Sequence, residues 1–588
     1  FQRGGRSKIA LRAVIDHELI GSLPGAVVHA DANTVRSKVA CEVHTHGRQA
    51  DDAELVIFHL THPGIMPMRA YSARTSMLKR VTTAACLVLV AVLTITACSP
   101  GRTASTNRIL VVDKSFDLKT ADPHRDLSAT GAIVAKALYS TLMTFDGSDA
   151  ATPVPSLATA YSTSEDATRF TFKLRHGVVF SDGSALTAAD VVFSFERLVR
   201  LKSTASRLLA GVVASAPDAF TIVLESKVPN PALPFVLANP ALAVVNATVA
   251  KNRGDDFLSN AAAGSGPYTL ASFSAFSDVV LVANPRYWGQ RPFYGRVVVR
   301  NMNAETQLTY IASATDQVAL DLSPAEAGTL TRNQSVVIKA VASPEVVFLF
   351  ANNNPQVSSV TPNKHFQNAV RYALDYDSMV QLMGAGAIQA TGVTPSTLLG
   401  GLPPWTAPRQ DIEKARTELA ASGLKNPTVN LGFANDQVVS GLPLSALASM
   451  VRAELGAAGI VVSLTGSPTS AATGDYTAGG QQMGLWSVAG TSADPNTYLD
   501  FLPGRTLGLR AGWAAGSDPS LESLGIQAGT TADLATRSQL LQNVLGRLNA
   551  DGPFFPILQP GRTIVATKDI TTIDYNPTWS IDLAAVTG

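Results

Sequence analysis

The sequence predicts an α/β protein of two or more lobes, with a compact α+β body inserted in its first half, and three observations carry that prediction. Short alternating strands recur between amphipathic helices from residue 108 onward. Roughly 490 residues follow Cys98, more than one ordinary core encloses. The three cysteines are Cys41, Cys86 and Cys98, and only Cys98 outlasts removal of an export segment. No internal disulfide is then available, so stability has to come from a large core.

The export segment is residues 77–107. Lys79 and Arg80 form a positive head, residues 81–96 are apolar, and the small residue Ala97 precedes Cys98. The run is shorter than the roughly 20 residues that cross a bilayer core, which fits a cleaved signal over residues 77–97 better than a permanent span. The stretch Ile95-Thr96-Ala97-Cys98 resembles the lipobox of bacterial lipoproteins. That resemblance implies acylation of Cys98, a lipid anchor in the cell membrane and an extracytoplasmic location; the alternative is ordinary secretory cleavage that leaves Cys98 a free thiol. Residues 98–107, rich in Ser, Thr, Gly and Pro, read as a flexible tether.

Residues 1–76 differ from the rest. They hold His17, His29, His44, His46, His59 and His62 and show no sustained period. Cys41 with His44 and His46 has a spacing zinc would accept. A metal site ahead of an export signal would be discarded or stranded, so an upstream extension is expected, with Met68 or Met77 as the true start. No metal and no cofactor are expected.

The elements of the working chain follow in order. Ile109-Leu110-Val111-Val112 reads as a buried strand. Residues 128–145 read as a helix, with Ile133, Val134, Ala137 and Leu138 inward. Phe170, Phe172 and Leu174 alternate with Thr171, Lys173 and Arg175, as in a half-buried strand, and Asp182-Gly183 marks a turn. Thr187 and Asp190 have capping-box spacing ahead of a helix burying Val191, Phe195 and Leu198. Phe220, Ile222 and Leu224 make another strand, and residues 155–260 together suit an inserted lobe. Further on, Asp411 and Gly423 bracket a helix, and Val429, Leu431 and Phe433 form a strand. A helix over 444–458 ends at Gly459 and feeds a strand over 460–464.

Composition excludes several functions. Lys plus Arg number 46 against 45 Asp plus Glu, a formal charge of +1, with no basic cluster; nucleic acid is not an expected partner, because neutralising phosphates needs a basic surface. No second long apolar run follows residue 96, which argues against a multi-pass membrane protein. Serine-elbow, zinc-protease, P-loop and dinucleotide signatures are missing, and only His124, His176 and His365 follow the signal. No enzyme is expected.

Several ordered landmarks share one resemblance. Asp122-Pro123-His124, residues 170–183 (FTFKLRHGVVFSDG) and 186–194 (LTAADVVFS) come first, followed by Gly264-Ser265-Gly266-Pro267-Tyr268, residues 284–289 (NPRYWG) and residues 368–379 (NAVRYALDYDSM), the last within one helix. This succession resembles the family 5 extracellular solute-binding proteins of ABC importers, the group that binds oligopeptides, dipeptides and nickel. The resemblance implies a periplasmic-binding-protein type II fold, two hinged α/β lobes plus an inserted third lobe. It places lobe I at about 108–150, 264–345 and 558–588, lobe II at about 151–263 and lobe III at about 346–557. It further implies a monomer that captures a peptide or other small solute in the interlobe cleft and passes it to ABC permease subunits with an associated ATPase. The alternatives are a surface sensor or adhesion lipoprotein on the same fold, or a binder of a non-peptide solute.

By the same resemblance the ligand-facing residues are Phe116, Asp117 and Leu118 on one lobe and Leu485, Trp486 and Ser487 with the following loop on the other. Trp405, after Pro403-Pro404, is a candidate for the mouth, with a solvent-facing loop role as its alternative. A core tryptophan is the plain alternative for Trp486, and an exposed loop acid for Asp117. One departure stands out. Peptide-binding members carry an aspartate shortly after the cleft Trp to pair with the ligand's amino terminus, since a desolvated ammonium needs a counter-charge. Residues 487–491 contain no acid; Thr491 lies near the expected place, and Asp494 is the candidate substitute.

Overall fold

The computed structural model describes residues 108–490 and 492–588. The export segment, the Cys41 and histidine group, Cys98 and Thr491 lie outside the described residues. Among the described residues no helix is long and apolar enough to cross a membrane.

Three sheets organise the chain. The first has seven strands in the order Val336–Ala342, Gly561–Thr567, Gln317–Ala319, Ile109–Lys114, Arg296–Asn301, Asp278–Ala283 and Tyr268–Phe273. Its fourth strand, Ile109–Lys114, runs parallel to both neighbours. Leu110 and Val112 are fully buried and Ile109 is 46% exposed, so this strand alternates where its sequence suggests a continuous apolar run. The second sheet has six strands: Ile388–Gln389, Phe554–Gln559, Glu345–Ala351, Met483–Ala489, Thr428–Ala434 and Val461–Ser467. Here Glu345–Ala351 is buried on both faces. Val347 and Leu349 join the core under the helices Lys364–Ala373 and Leu444–Ala458, while Phe348 and Phe350 join Phe554 on the other side. A central strand covered twice reads as an unbroken hydrophobic run for that reason.

The third sheet is antiparallel, ordered Ala158–Thr163, Arg169–Leu174, Thr221–Ser226 and Val212–Asp218. Phe170, Phe172 and Leu174 point into its core as the alternation requires. At the helix Ala188–Arg200 the Asp190 carboxylate accepts from the Thr187 amide at 2.9 Å. The Thr187 hydroxyl also donates to Asp190. The capping box that the Thr187–Asp190 spacing indicates is present.

Two helices end earlier than their apolar periods suggest. Ala129–Leu138 stops because Tyr139 turns extended, and the Gly264–Gly266 segment closes on it, with Gly266 N donating to Leu138 O at 3.1 Å. A Cβ at Gly266 would lie 2.4 Å from the Leu138 carbonyl carbon. Gly266→Ala is therefore expected to cost about 1–3 kcal/mol by overpacking against backbone that cannot yield, read as a lowered Tm. The stretch at 368–379 is two helices, not one: Lys364–Ala373 gives way at Leu374, and Asp375 caps Tyr376–Met383 by accepting from Ser378 N at 3.0 Å. Asp411, Gly423 and Gly459 act as the sequence indicates, Asp411 accepting from Lys414 N and both glycines taking positive φ.

The chain crosses between the two large sheets at Ser343-Pro344 and at Pro560. These crossings are tied together: Ser343 N donates to Pro560 O at 2.8 Å, and the buried Gln559 side chain donates to Ser343 O and accepts from Ser396 N. Two short, mutually bonded connectors are the geometry of a hinge, because few backbone torsions have to change for one body to rotate on the other.

Candidate functional site: the interlobe cavity

A cavity of about 280 Å³ opens beside the hinge. One wall is the start of the helix Ala129–Leu138, from Asp126 through Ala135, with Pro577 and Thr578 beside it. The facing wall is Gly490, Ser492, Ala493 and Tyr498 from the end of Met483–Ala489 and the turn after it. Pro344 of the hinge, Leu398, and Asn239 and Ala241 complete it. Small side chains dominate, so backbone and short polar groups present themselves to whatever enters. Tyr498 is held in place on this wall, its hydroxyl accepting from Gly490 N and donating to Pro344 O.

The helix start is already well supplied with acceptors. Ser128 Oγ accepts from Gly131 N, and Asp117 accepts from Ala129 N and Thr130 N, each at 3.0 Å. Burial works to raise the Asp117 carboxyl, but these hydrogen bonds outweigh it and hold it below the ordinary carboxylate value. Asp117 is thus a helix cap, not a free cleft carboxylate.

The other residues expected to face ligand are placed as follows. Phe116 is half-buried against the first sheet's core, its amide donating to Asn301 Oδ1, and Leu118 is buried in that core. Leu485 is buried on the helix-covered face of the six-stranded sheet. Trp486 is 7% exposed, its ring stacked on Tyr476 with centroids 4.5 Å apart and its Nε1 donating to Gln481 Oε1. The ring is thus packed within the lobe and does not line the cavity. Ser487 is half-buried and accepts from Gln437 Nε2 at 3.3 Å. Trp405 is 82% exposed on the single turn Pro404–Thr406 and does not line the cavity.

Asp494 is the most firmly engaged of these residues. Its two carboxylate oxygens receive Arg537 Nη1 and Nη2 at 2.7 and 2.8 Å, with Asp494 2% and Arg537 0% exposed. One oxygen also accepts from Asn496 N to cap the turn Pro495–Phe501. A carboxylate so occupied cannot stand in for the acid missing after Trp486. Sequence reasoning reached both walls but named positions a few residues from those that line them. Asp126, Ser128 and Tyr498 were missed, and of these only Ser128 carries a signal, as an N-cap before an apolar helix.

A second polar group, around Asp122-Pro123-His124, explains that motif without a ligand. Arg197 of the inserted lobe reaches Asp122 with both Nη atoms and gives His124 Nδ1 a hydrogen bond of 3.0 Å, while His124 Nε2 donates to Ala243 O. All three side chains are buried. Burial pushes the His124 imidazole down to about 4, with the Arg197 charge adding to that and Asp122 and the Ala243 bond opposing it. The group clamps the inserted lobe onto the first sheet's lobe. Among the described residues no three His, Cys, Asp or Glu side chains gather as a metal site.

Comparison with known proteins accords with this geometry. The profile of the bacterial extracellular solute-binding proteins, family 5, middle region, matches residues 152–506. A probable D,D-dipeptide-binding periplasmic protein, DdpA, of Escherichia coli K12 is 25% identical over 480 residues, 80% of this chain and 92% of its own length. Di/tripeptide-binding protein 2 of Pseudomonas aeruginosa is 23% identical over 505 residues, 79% of this chain and 92% of the relative. Among solved structures, HbpA2 from Haemophilus parasuis superposes with a TM-score of 0.74 at 19% identity, covering 82% of this chain and 99% of that one. DppA from Helicobacter pylori, in complex with the peptide STSA, gives 0.60 at 20% identity over 82% and 98%.

Proposed function

The chain belongs to family 5 of the bacterial extracellular solute-binding proteins, and from that premise we propose that its interlobe cavity captures a small peptide-like solute and hands it to the permease subunits of an ABC importer. The observation that carries the reading is the pair of short connectors, at Ser343-Pro344 and at Pro560, beside a cavity walled by both lobes. A solute touching both walls binds the closed arrangement better than the open one and shifts the population toward it. The closed form is then the signal a permease can recognise. The moving bodies are lobe I at about 108–150, 264–345 and 558–588, carrying lobe II at about 151–263, and lobe III at about 346–557. The related proteins named for dipeptides and tripeptides support the solute class.

Binding rather than catalysis is the reading that the related proteins support, since they are named as binding proteins. Export with a lipid anchor at Cys98 is the companion proposal, supported by the lipobox-like Ile95-Thr96-Ala97-Cys98 and by the extracellular family. The protein acts as a monomer in this scheme. Small-angle scattering of protein purified from its own cells, before and after its bound solute is removed, tests the central reading. A radius of gyration that rises on removal and falls on adding back the solute is expected. An invariant shape, or no co-purifying solute by native mass spectrometry, sinks it. Loss of uptake on deletion separates an importer component from a sensor.

A further inference from the structure

The cavity has a sign. Of the described residues that line it, Asp126 is the one carboxylic acid, and no Lys, Arg or His joins it. It sits half-buried at the mouth of the helix Ala129–Leu138, where Oδ1 accepts from Ser128 N at 2.6 Å. Its only other acceptor bond among the described residues is a long one, 3.5 Å, from Lys119 N. Nearby cations are engaged elsewhere. Arg125 is turned to Asp122 and Asp256, and Lys136 to Thr144 Oγ1 and Asp582. No Lys, Arg or His pairs with Asp126 among the described residues, and none lines the cavity.

A half-buried carboxylate lacking a protein counter-ion loses hydration when the lobes close, and the loss is made good by a cation arriving with the solute. An anion entering the same space meets a like charge, with Ser128 and Asp117 already occupying the helix amides that would otherwise attract it. Resting on the solute-binding reading above, we propose that the solute presents an ammonium group to Asp126 and places no free carboxylate inside the cavity. The counter-charge absent after Trp486 on one lobe is supplied by the other. Gly131 leaves the carboxylate its room, since a Cβ there would lie 2.7 Å from Asp126 Cγ.

The test uses two pools built on the same side chains. Dipeptide amides carry an ammonium and no carboxylate; N-acetylated dipeptides carry a carboxylate and no ammonium. Protein stripped of its solute is screened against both at pH 7 by native mass spectrometry, and the hits are titrated by fluorescence. The amides are expected to bind at least about tenfold more tightly. Asp126→Asn keeps the acceptor for Ser128 N and removes the charge, so it is expected to erase that preference with Tm unchanged. Asp117→Asn, at the helix cap outside the cavity lining, is expected to lower Tm and leave the preference intact. Equal binding, preference for the acids, binding of neither pool, or a preference that persists in Asp126→Asn overturns the ammonium assignment. If the co-purified solute still closes the lobes in that event, the solute-binding reading stands without it; if nothing closes them, both fall.

Discussion

Replacing Arg537 with Met is expected to destabilise the second large lobe by about 3–5 kcal/mol, because it leaves the Asp494 carboxylate buried without its partner. Arg537 is fully buried, pairs with both Asp494 oxygens and also donates to Ala528 O and Asn496 Oδ1. Its removal therefore strands a charge and two further acceptors. The urea midpoint reports the loss, with the denaturant slope held constant as the control for an unchanged unfolding transition. Adding Asp494→Asn to the same chain is expected to recover part of the stability, since an amide costs less to bury than an unpaired carboxylate. A cost under about 1 kcal/mol for the single replacement would show that the pair is not what fixes the turn after Met483–Ala489. That turn carries Ser492, Ala493 and Tyr498 to the cavity, so solute affinity is expected to fall along with stability.

Arg197→Met has a comparable expected cost and a more distinctive signature, a flattening of the pH dependence. In the native chain His124 is neutral, with a folded value near 4 against an ordinary 6.5. The unfolded chain binds the extra proton across that window. Stability is complete above about pH 6.5 and falls by about 1.4 kcal/mol per unit as pH drops toward 4. Without Arg197, Asp122 is a buried carboxylate facing His124, whose Nδ1 loses its donor. The imidazole then loses the cation that helps keep it neutral, but burial, the largest cause, still lowers its value, so the folded value moves up toward the ordinary one without passing it. The loss of stability on acidification is therefore expected to shrink, not to change sign. Denaturation midpoints at pH 5 and pH 8 distinguish the cases: the native chain is expected to be weaker at pH 5, and the difference between the two pH values is expected to be smaller in the variant. Parallel profiles would show that His124 does not answer to this arginine.

Local pattern made much of the fold legible. Phe170, Phe172 and Leu174 alternate because one face of an antiparallel sheet is buried, and Asp411, Gly423 and Gly459 mark helix ends because capping and left-handed turns are local chemistry. Where the apolar period ran past the true helix end, at Leu138 and Leu374, the stop comes from outside the helix or from a cap inside the pattern: Gly266 donating to Leu138 O, and Asp375 capping the next helix. The site was less legible. Trp486 and Asp494 were singled out by residue type and position, yet one is stacked on Tyr476 and the other paired with Arg537, partners ten and more than forty positions away.

Taken alone, the sequence determined an α/β chain and a family whose landmarks run in order, because each of these is written in neighbouring residues. Only the tertiary structure decided which carboxylates are free. Asp117, Asp494 and Asp126 are equally acidic on the page, but the first caps a helix and the second answers an arginine, while the third faces the cavity with no cationic partner among the described residues. A side chain's chemistry is set by what fills its remaining hydrogen-bond and charge requirements, and those partners are assembled by folding from distant parts of the chain.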